Sequence, residues 1–176
     1  MCRGDEQSVG HDRMTEVREA GVADLEAILA IYNDAVIHTA ATYDYEPRSP
    51  DAQRQWFEAK CAQDFPVLVG LDAGAVSGFA SYGPFRPWAA YLYTVENSIY
   101  VAPERRGRGV GTAILGPLVE IARSRGFHAM VAGIDAANAA SLKLHAKFGF
   151  EQVAHFRQVG WKFERWLDLV FLQRIF

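Results

Sequence analysis

The sequence predicts one domain of the α/β (or α+β) class built round a mixed sheet, and three observations carry that reading. Strand-like and helix-like periods alternate along the chain. No internal repeat or linker-like stretch interrupts them. The 176 residues are 50% hydrophobic, enough to bury a sizeable core.

Taken in order, Thr15-Glu16-Val17-Arg18-Glu19 alternates polar and apolar residues and reads as a short strand. Leu25, Ile28, Leu29, Tyr32 and Val36 recur at helical spacing over residues 22–38, with Asp24 at the start. Ser49-Pro50-Asp51 has the form of an N-cap, an N1 proline and a first-turn acid, so a helix through Trp56 and Phe57 follows. Residues 66–71 and 76–82 are strands joined by the turn Asp72-Ala73-Gly74. Residues 83–92, with Gly83, Pro84 and Pro87, read as a loop. In the strand from Thr94 to Val101, Val95, Asn97, Ile99 and Val101 face one way, and Glu96, Ser98 and Tyr100 the other. A helix over 109–125 contains Gly116-Pro117, where an interior proline costs about 3 kcal/mol and predicts a kink or a strain offset by packing. Residues 129–134 are nearly all apolar, as in a central strand. A helix over 138–147 stops at Gly149, and two strands near 150–157 and 167–174 close the chain.

Composition excludes several classes. A net charge of −3 and a pI near 5.9 argue against nucleic acid as a partner. No apolar run approaches the ~20 residues of a membrane span. Cys2 and Cys61 form neither a disulfide framework nor a metal-ligand set, so no metal is expected, and a reducing, cytoplasmic compartment is. Residues 1–13 are polar and aperiodic and read as a disordered tail, with Met14 an alternative start and residues 14–176 the domain.

The segment Arg105-Arg106-Gly107-Arg108-Gly109-Val110-Gly111 lies between a strand and a helix. Glycines there let backbone N–H groups approach an anion, and the helix N-terminus and the arginines add positive charge. Together they suit a pyrophosphate; the alternative is a glycine-rich surface turn with solvated arginines. The G-x-G-x-G spacing after roughly the fourth strand does not fit the G-x-G-x-x-G dinucleotide fingerprint, and the Gly-Lys-Ser/Thr of a P-loop is absent.

Arg106-x-x-Gly109-x-Gly111, the preceding Ser98-Ile99-Tyr100-Val101, and the following Asn138-Ala139-Ala140-Ser141-x-x-Leu144-His145-x-x-x-Phe148-Gly149-Phe150 resemble, in order and distance, the acetyl-CoA signature of the GNAT acetyltransferase superfamily. Ile31-Tyr32-Asn33-Asp34-Ala35-Val36, Gly78-Phe79-Ala80-Ser81-Tyr82-Gly83, Thr94-Val95-Glu96-Asn97-Ser98, Val131-Ala132-Gly133-Ile134 and Lys162-Phe163-Glu164-Arg165-Trp166-Leu167-Asp168-Leu169 narrow the resemblance to the phosphinothricin and methionine sulfoximine acetyltransferases. The resemblance implies a mostly antiparallel sheet with a splayed central strand, acetyl-CoA as co-substrate, a small-molecule amine acceptor and a homodimer. By the same likeness Ile99, Tyr100, Val101, Arg106, Gly107, Arg108, Gly109, Val110, Gly111, Asn138 and Ser141 bind acetyl-CoA, with Lys143 a weaker candidate.

It also implies that the Val101 N–H holds the oxyanion, an interaction worth about 3–4 kcal/mol. Glu96 is the general-base candidate, since an ammonium must lose a proton before it attacks; the alternative is a solvated strand residue. His145 stands where many members carry an acid that protonates the thiolate; the alternative is a packed helix histidine. Arg86, Pro87 and Trp88, with Glu96, Asn97 and Ser98, are implied to line the acceptor site, where a guanidinium suits a carboxylate or phosphinate. A solvated loop arginine is the alternative at Arg86. Trp166 and Asp168 are further candidates, and Trp166 serves equally as core.

The pattern departs from those enzymes at Thr42-Tyr43, Pro84-Phe85, Leu92 and Asn97, all on the acceptor side. The rival readings are an acetyltransferase for another amine, such as a polyamine or a protein N-terminus, and a non-catalytic acetyl-CoA-binding module.

Overall fold

The central strands are buried almost continuously, and the alternation of side-chain direction sorts their apolar residues onto the two faces of one seven-stranded sheet. In this computed structural model, residues 15–176 are described. The tail expected over residues 1–13, and Met14, lie outside the described residues. The strands are β1 (Glu16–Glu19), β2 (Val67–Asp72), β3 (Ala75–Pro84), β4 (Thr94–Val101), β5 (Ala129–Asp135), β6 (Glu151–Lys162) and β7 (Arg165–Ile175). The helices are α1 (Leu25–His38), α2 (Pro50–Ala62), α3 (Val110–Ser124) and α4 (Ala139–Lys147). The spatial order is β1-β2-β3-β4-β5-β7-β6, antiparallel throughout except for the parallel pair β4–β5.

On one face Leu68, Ala80, Tyr82, Val95 and Met130 pack with Ile114, Leu115 and Leu118 of α3. On the other, Val67, Val69, Leu71 and Phe79 pack with Leu25, Ile28 and Val36 of α1 and Phe57 of α2. Alternation assigns neighbouring residues of β2 to opposite cores.

Local chemistry sets the helix ends. The Ser49 hydroxyl accepts from the Ala52 N–H at 3.2 Å and Pro50 opens α2, as the sequence predicts. Asp24 instead closes a 3-10 turn before α1. Its carboxylate accepts from both Arg18 guanidinium nitrogens at 2.7 and 2.9 Å and from the Gly21 N–H at 2.7 Å. Helix α3 runs as one segment through Pro117. Ile114, Leu115, Leu118 and Val119 around it are fully buried, so packing offsets the lost backbone bond.

Three boundaries differ from the sequence reading. Gly83 and Pro84 extend β3, paired with Glu96 and Val95. Proline is tolerated there because it ends the strand. Strand β6 continues to Lys162 through a register shift between Phe156 and Gly160. The β6–β7 hairpin then turns on Phe163 and Glu164, both at positive φ (53° and 56°). Such a turn ordinarily calls for Asn or Gly, so its residues carry no turn signal.

Helix α3 sits close on the sheet because Gly70 has no side chain: a Cβ there would lie 2.8 Å from Ile114 Cδ1. Ile114→Ala leaves a cavity at this contact, since the glycine opposite cannot fill it. The expected loss is about 2–5 kcal/mol, seen as a lower urea midpoint at unchanged m-value. An unchanged midpoint contradicts the packing described.

Candidate active site

The parallel pair β4–β5 is short. It spans Thr94↔Ala129, Val95↔Met130 and Glu96↔Val131. Beyond it β4 continues to Val101 beside β3, and β5 to Asp135 beside β7. The two strands splay, and the backbone groups between them lose their ladder. At the apex the buried Asn97 side chain stands in for the ladder, donating from Nδ2 to the Val131 carbonyl at 3.2 Å. The Ala102 N–H donates to Ser77 O on the β3 side at 2.9 Å. Backbone direction alternates along a strand, so the N–H and C=O of Val101 and Ile99 face the opening. Those of Tyr100 face β3, so Tyr100 offers its side chain.

A cleft of about 660 Å³ opens from this splay, within the range of a small-molecule site. Ile99, Tyr100 and Val101 form one wall, and Asn138, Ser141, Lys143 and Leu144 of α4 the other. Arg106, Gly107, Gly109, Val110 and Gly111 line its floor, with Arg105. Gly109 has φ 84° and directly precedes α3. Only this left-handed turn aims the first free amides of the helix at the cleft. Arg106 donates from Nε to Val101 O at 3.2 Å and lies 3.5 Å from Asp34. Arg105 is ion-paired with Asp72. Arg108 is exposed and does not line the cleft. Lys147 and Arg165 line it and were not singled out from the sequence, though Lys143 and Lys147 share an i,i+4 spacing on α4.

At the closed end a pocket of about 70 Å³ is bounded by Asn97, Ser98, Asp135, Ser141 and His145. His145 is 1% exposed. Its Nε2 lies 3.1 Å from Asn97 Oδ1, and its Nδ1 lies 2.9 Å from Ser141 O and 3.4 Å from Ser141 Oγ. Since the Asn97 Nδ2 is committed to Val131 O, its Oδ1 faces the ring, so the ring nitrogens face two acceptors, Asn97 Oδ1 at Nε2 and the Ser141 carbonyl at Nδ1. Burial lowers the His145 pKa, opposed by the Ser141 carbonyl. The neutral ring can donate to one of these oxygens at a time, from Nδ1 to the Ser141 carbonyl or from Nε2 to Asn97 Oδ1, and Ser141 itself lines both cavities. His145 is buried, bounds the small pocket and reaches the wider cleft through Ser141. Asn138 caps α4, its Oδ1 accepting from the Ser141 N–H at 3.1 Å.

Glu96 lies on the other face of β4, the face of Ser98 and Tyr100. It stands one strand repeat, about 7 Å, from Ser98 at the small pocket. Glu96 Oε1 lies 3.1 Å from where a Cβ on Gly133 would be, and Oε2 lies 3.3 Å from Arg86 Nη1. Burial raises the Glu96 pKa, and Arg86 opposes it. The Arg86 guanidinium lies 4.1 Å from the centre of the Phe85 ring. Pro87 and Trp88 follow it on the loop, Trp88 exposed and packed edgewise on Tyr91. None of Arg86, Pro87, Trp88 or Glu96 lines either cavity. Asn97 faces away from them, towards His145.

A strap over residues 39–45 closes over the pocket, and sequence reasoning missed its anchors. Lys162, buried on β6, donates to Thr39 O at 2.9 Å and Thr42 O at 2.8 Å. Tyr43 donates to Asp168 O at 3.4 Å, and Tyr45 to Trp161 O. Burial, then the charges of Asp135 and Asp168, push the Tyr43 pKa up to about 12. Ala41 of this strap lines both cavities. Asp168 accepts from His155 Nε2 and the Gln158 N–H, both at 2.9 Å, and Trp166 stacks edgewise on Trp161. Neither Asp168 nor Trp166 lines either of these two cavities. Among the described residues no group of three or more His, Cys, Asp or Glu is placed to hold a metal.

The His145 environment has a consequence for stability. Its folded pKa lies below the unfolded value of about 6.5. As pH falls through that value the unfolded chain takes up a proton that the folded chain does not, so stability is lost towards acid and is full above about pH 6.5. His145→Gln is expected to flatten the fall in urea midpoint just below pH 6.5; an unchanged slope contradicts the burial argument.

Residues 25–150 match the acetyltransferase (GNAT) family. An L-methionine sulfoximine/L-methionine sulfone acetyltransferase from Pseudomonas paraeruginosa is 50% identical over 158 residues, covering 89% of this chain and 92% of the relative. A phosphinothricin N-acetyltransferase from Streptomyces coelicolor is 35% identical over 163 residues, covering 90% and 95%. A solved acetyltransferase structure from Salmonella typhimurium, with its cofactor acetyl-CoA, superposes with a TM-score of 0.89 at 45% identity, covering 92% of this chain and 93% of that one. The splayed sheet, the glycine-opened helix and these likenesses agree: the chain belongs to the GNAT acetyltransferase family, and it is an acetyl-CoA-dependent N-acetyltransferase.

Proposed function

We propose that the protein acetylates the α-amino group of a small amino acid analogue of the methionine sulfoximine, methionine sulfone or phosphinothricin type. The observation that carries the reading is the Arg86–Glu96 pair beside the splay, a cation for the acceptor's acid group next to a base for its amine. The relatives' named substrates support it. Residues 14–176 act as one catalytic unit, consistent with the single sheet that runs through it.

Acetyl-CoA lies along the cleft. Backbone groups of Ile99 and Val101 hold the pantetheine arm. The amides of Gly107 to Gly111, with Arg106 and Lys143, hold the pyrophosphate, and Arg108 steers it from the rim. Asn138 and Ser141 flank the arm from α4. The Val101 N–H polarises the thioester carbonyl. The amine enters from the Glu96 side, between Arg86, Pro87, Trp88 and Ser98, and attacks directly in a ternary complex. Glu96 takes its proton through a water across the gap to the pocket. Asn97 and His145 hold the apex, and the Ser141 hydroxyl stabilises the departing thiolate. No metal takes part in this scheme.

A homodimer is proposed over the β6–β7 face, where Val153, Phe156, Val159, Trp161 and Trp166 are each about half exposed or more. An apolar edge strand of this length favours a covering partner. A cytoplasmic location fits the free, exposed Cys61. No helix among the described residues is long and apolar enough to cross a membrane.

The test is thiol release from acetyl-CoA with a panel of amines. Methionine sulfone, methionine sulfoximine and phosphinothricin are expected to turn over; release with polyamines alone overturns the reading. Glu96→Gln is expected to lose about 10²–10⁴ in kcat with acetyl-CoA affinity unchanged. Full turnover by that variant removes Glu96 as base. Sedimentation at micromolar concentration is expected to give a dimer that Trp161→Asp splits; a monomeric native chain refutes it.

A further inference from the structure

Glu96 has one charged side chain in contact with it among the described residues. Its cross-strand partner on β3 is Gly83, which has no side chain. Its neighbours on β5 are Val131 and Gly133, and on β7 Leu169 and Phe171 approach the same point. The Lys60 ammonium of α2 lies behind Gly83, but it donates to Tyr82 O at 2.7 Å between the Trp56 and Phe65 rings. Arg86 alone touches the carboxylate.

That contact is weak in form. One guanidinium nitrogen, Nη1, serves both Glu96 at 3.3 Å and the Phe85 carbonyl at 2.6 Å. Paired charges with good geometry come to about 2.7–2.9 Å. Nη2 and Nε make no hydrogen bond among the described residues, and the side chain is 40% exposed. The free edge of the guanidinium matches a carboxylate in two parallel bonds.

We propose that Arg86 is a shared counter-ion: it neutralises Glu96 while the acceptor site is empty, and an acceptor carboxylate draws it away, leaving Glu96 unpaired to take the amine proton. The proposal rests on the reading of Glu96 as base. Burial raises the Glu96 pKa and Arg86 lowers it, so removing Arg86 leaves burial unopposed and makes the carboxylate a stronger base. The amine N–H proton then passes to Glu96. The nitrogen lone pair forms the C–N bond to the thioester carbon, and the C–S bond breaks with its electron pair leaving on the sulfur of CoA. Proton and thiolate together balance as the free thiol. An amine without a carboxylate leaves Glu96 paired, so the device selects acid-bearing acceptors at the proton-transfer step as well as at binding.

The probe is the deaminated carboxylic acid of methionine sulfone, which can bind but cannot be acetylated, with its primary amide as control. Calorimetry with full-length protein in two buffers of different ionisation enthalpy counts protons at about pH 6, where a free carboxylic acid is already ionised. The acid is expected to bind with net proton uptake, the amide with none, and Glu96→Gln with none for either. Binding of the acid without uptake, uptake that persists in Glu96→Gln, or an acid that binds no better than its amide overturns the proposal. A kinetic readout is independent of this. With methionine sulfone the acid limb of kcat is expected at higher pH than that of kcat/KM, and coincident limbs refute it. Turnover with coincident limbs defeats the shared counter-ion alone, whereas failure of every amino acid to turn over defeats the substrate reading.

Discussion

The site depends on one interruption: the parallel pairing of β4 with β5 stops after Glu96↔Val131. Parallel neighbours in the middle of a sheet ordinarily pair along their length, and unpaired backbone there is costly. Two side chains reduce that cost here. Asn97 donates to the Val131 carbonyl, and Arg106 donates to the Val101 carbonyl. The rest of the exposed backbone faces the cleft and is available to the pantetheine arm. The opening is held from both sides by the uninterrupted pairs β3–β4 and β5–β7.

Period two then divides the chemistry. Residues 97, 99 and 101 turn their side chains towards α3 and α4, and residues 96, 98 and 100 towards α1, α2 and the strap. In the function proposed above, the strand presents its edge to the donor and the Glu96 face to the acceptor, so the cofactor does not cover the base. Asn97 shows the rule at work. Its neighbours in sequence, Glu96 and Ser98, lie on the acceptor face, but its own carboxamide is spent on the apex and on His145.

Legibility in the sequence follows the range of each interaction. Strand β4, the glycine-arginine turn and the Asn138 cap of α4 depend on neighbours within a few residues, and all were readable. The pairing partners were not. Lys162, between Trp161 and Phe163, carries no local signal of its role, yet it holds the strap more than a hundred positions away. The turn at Phe163 and Glu164 takes positive φ without glycine or asparagine, so β6 and β7 read too short. Arg108 reads as a cleft residue because the motif is written as a string. The positive φ at Gly107 and Gly109 turns the chain so that Arg106 faces inward and Arg108 outward.

The same distinction sorts the positions at which the sequence departs from the resembled enzymes: Thr42-Tyr43, Pro84-Phe85 and Leu92 lie on the strap, at the end of β3 and on the loop, and Asn97 alone lies at the apex. The donor half is a backbone site: amides of a glycine turn, a helix N-terminus and a strand edge. Side-chain changes there are tolerated only where they preserve those conformations. In the function proposed above, the acceptor half is made of side chains on a loop, Arg86 and Trp88, beside a strap that carries Thr42 and Tyr43, all on a rigid sheet. Those positions can vary without opening or closing the splay. Tyr43 packs on the bare face of Gly160, where a Cβ would come within 2.6 Å of its ring. Gly160 thus gives the strap room to sit against β6, where Lys162, Tyr43 and Tyr45 anchor it. The strap and the Arg86 loop are therefore carried by one rigid sheet, the strap through Lys162, Tyr43 and Tyr45 and the loop through Glu96.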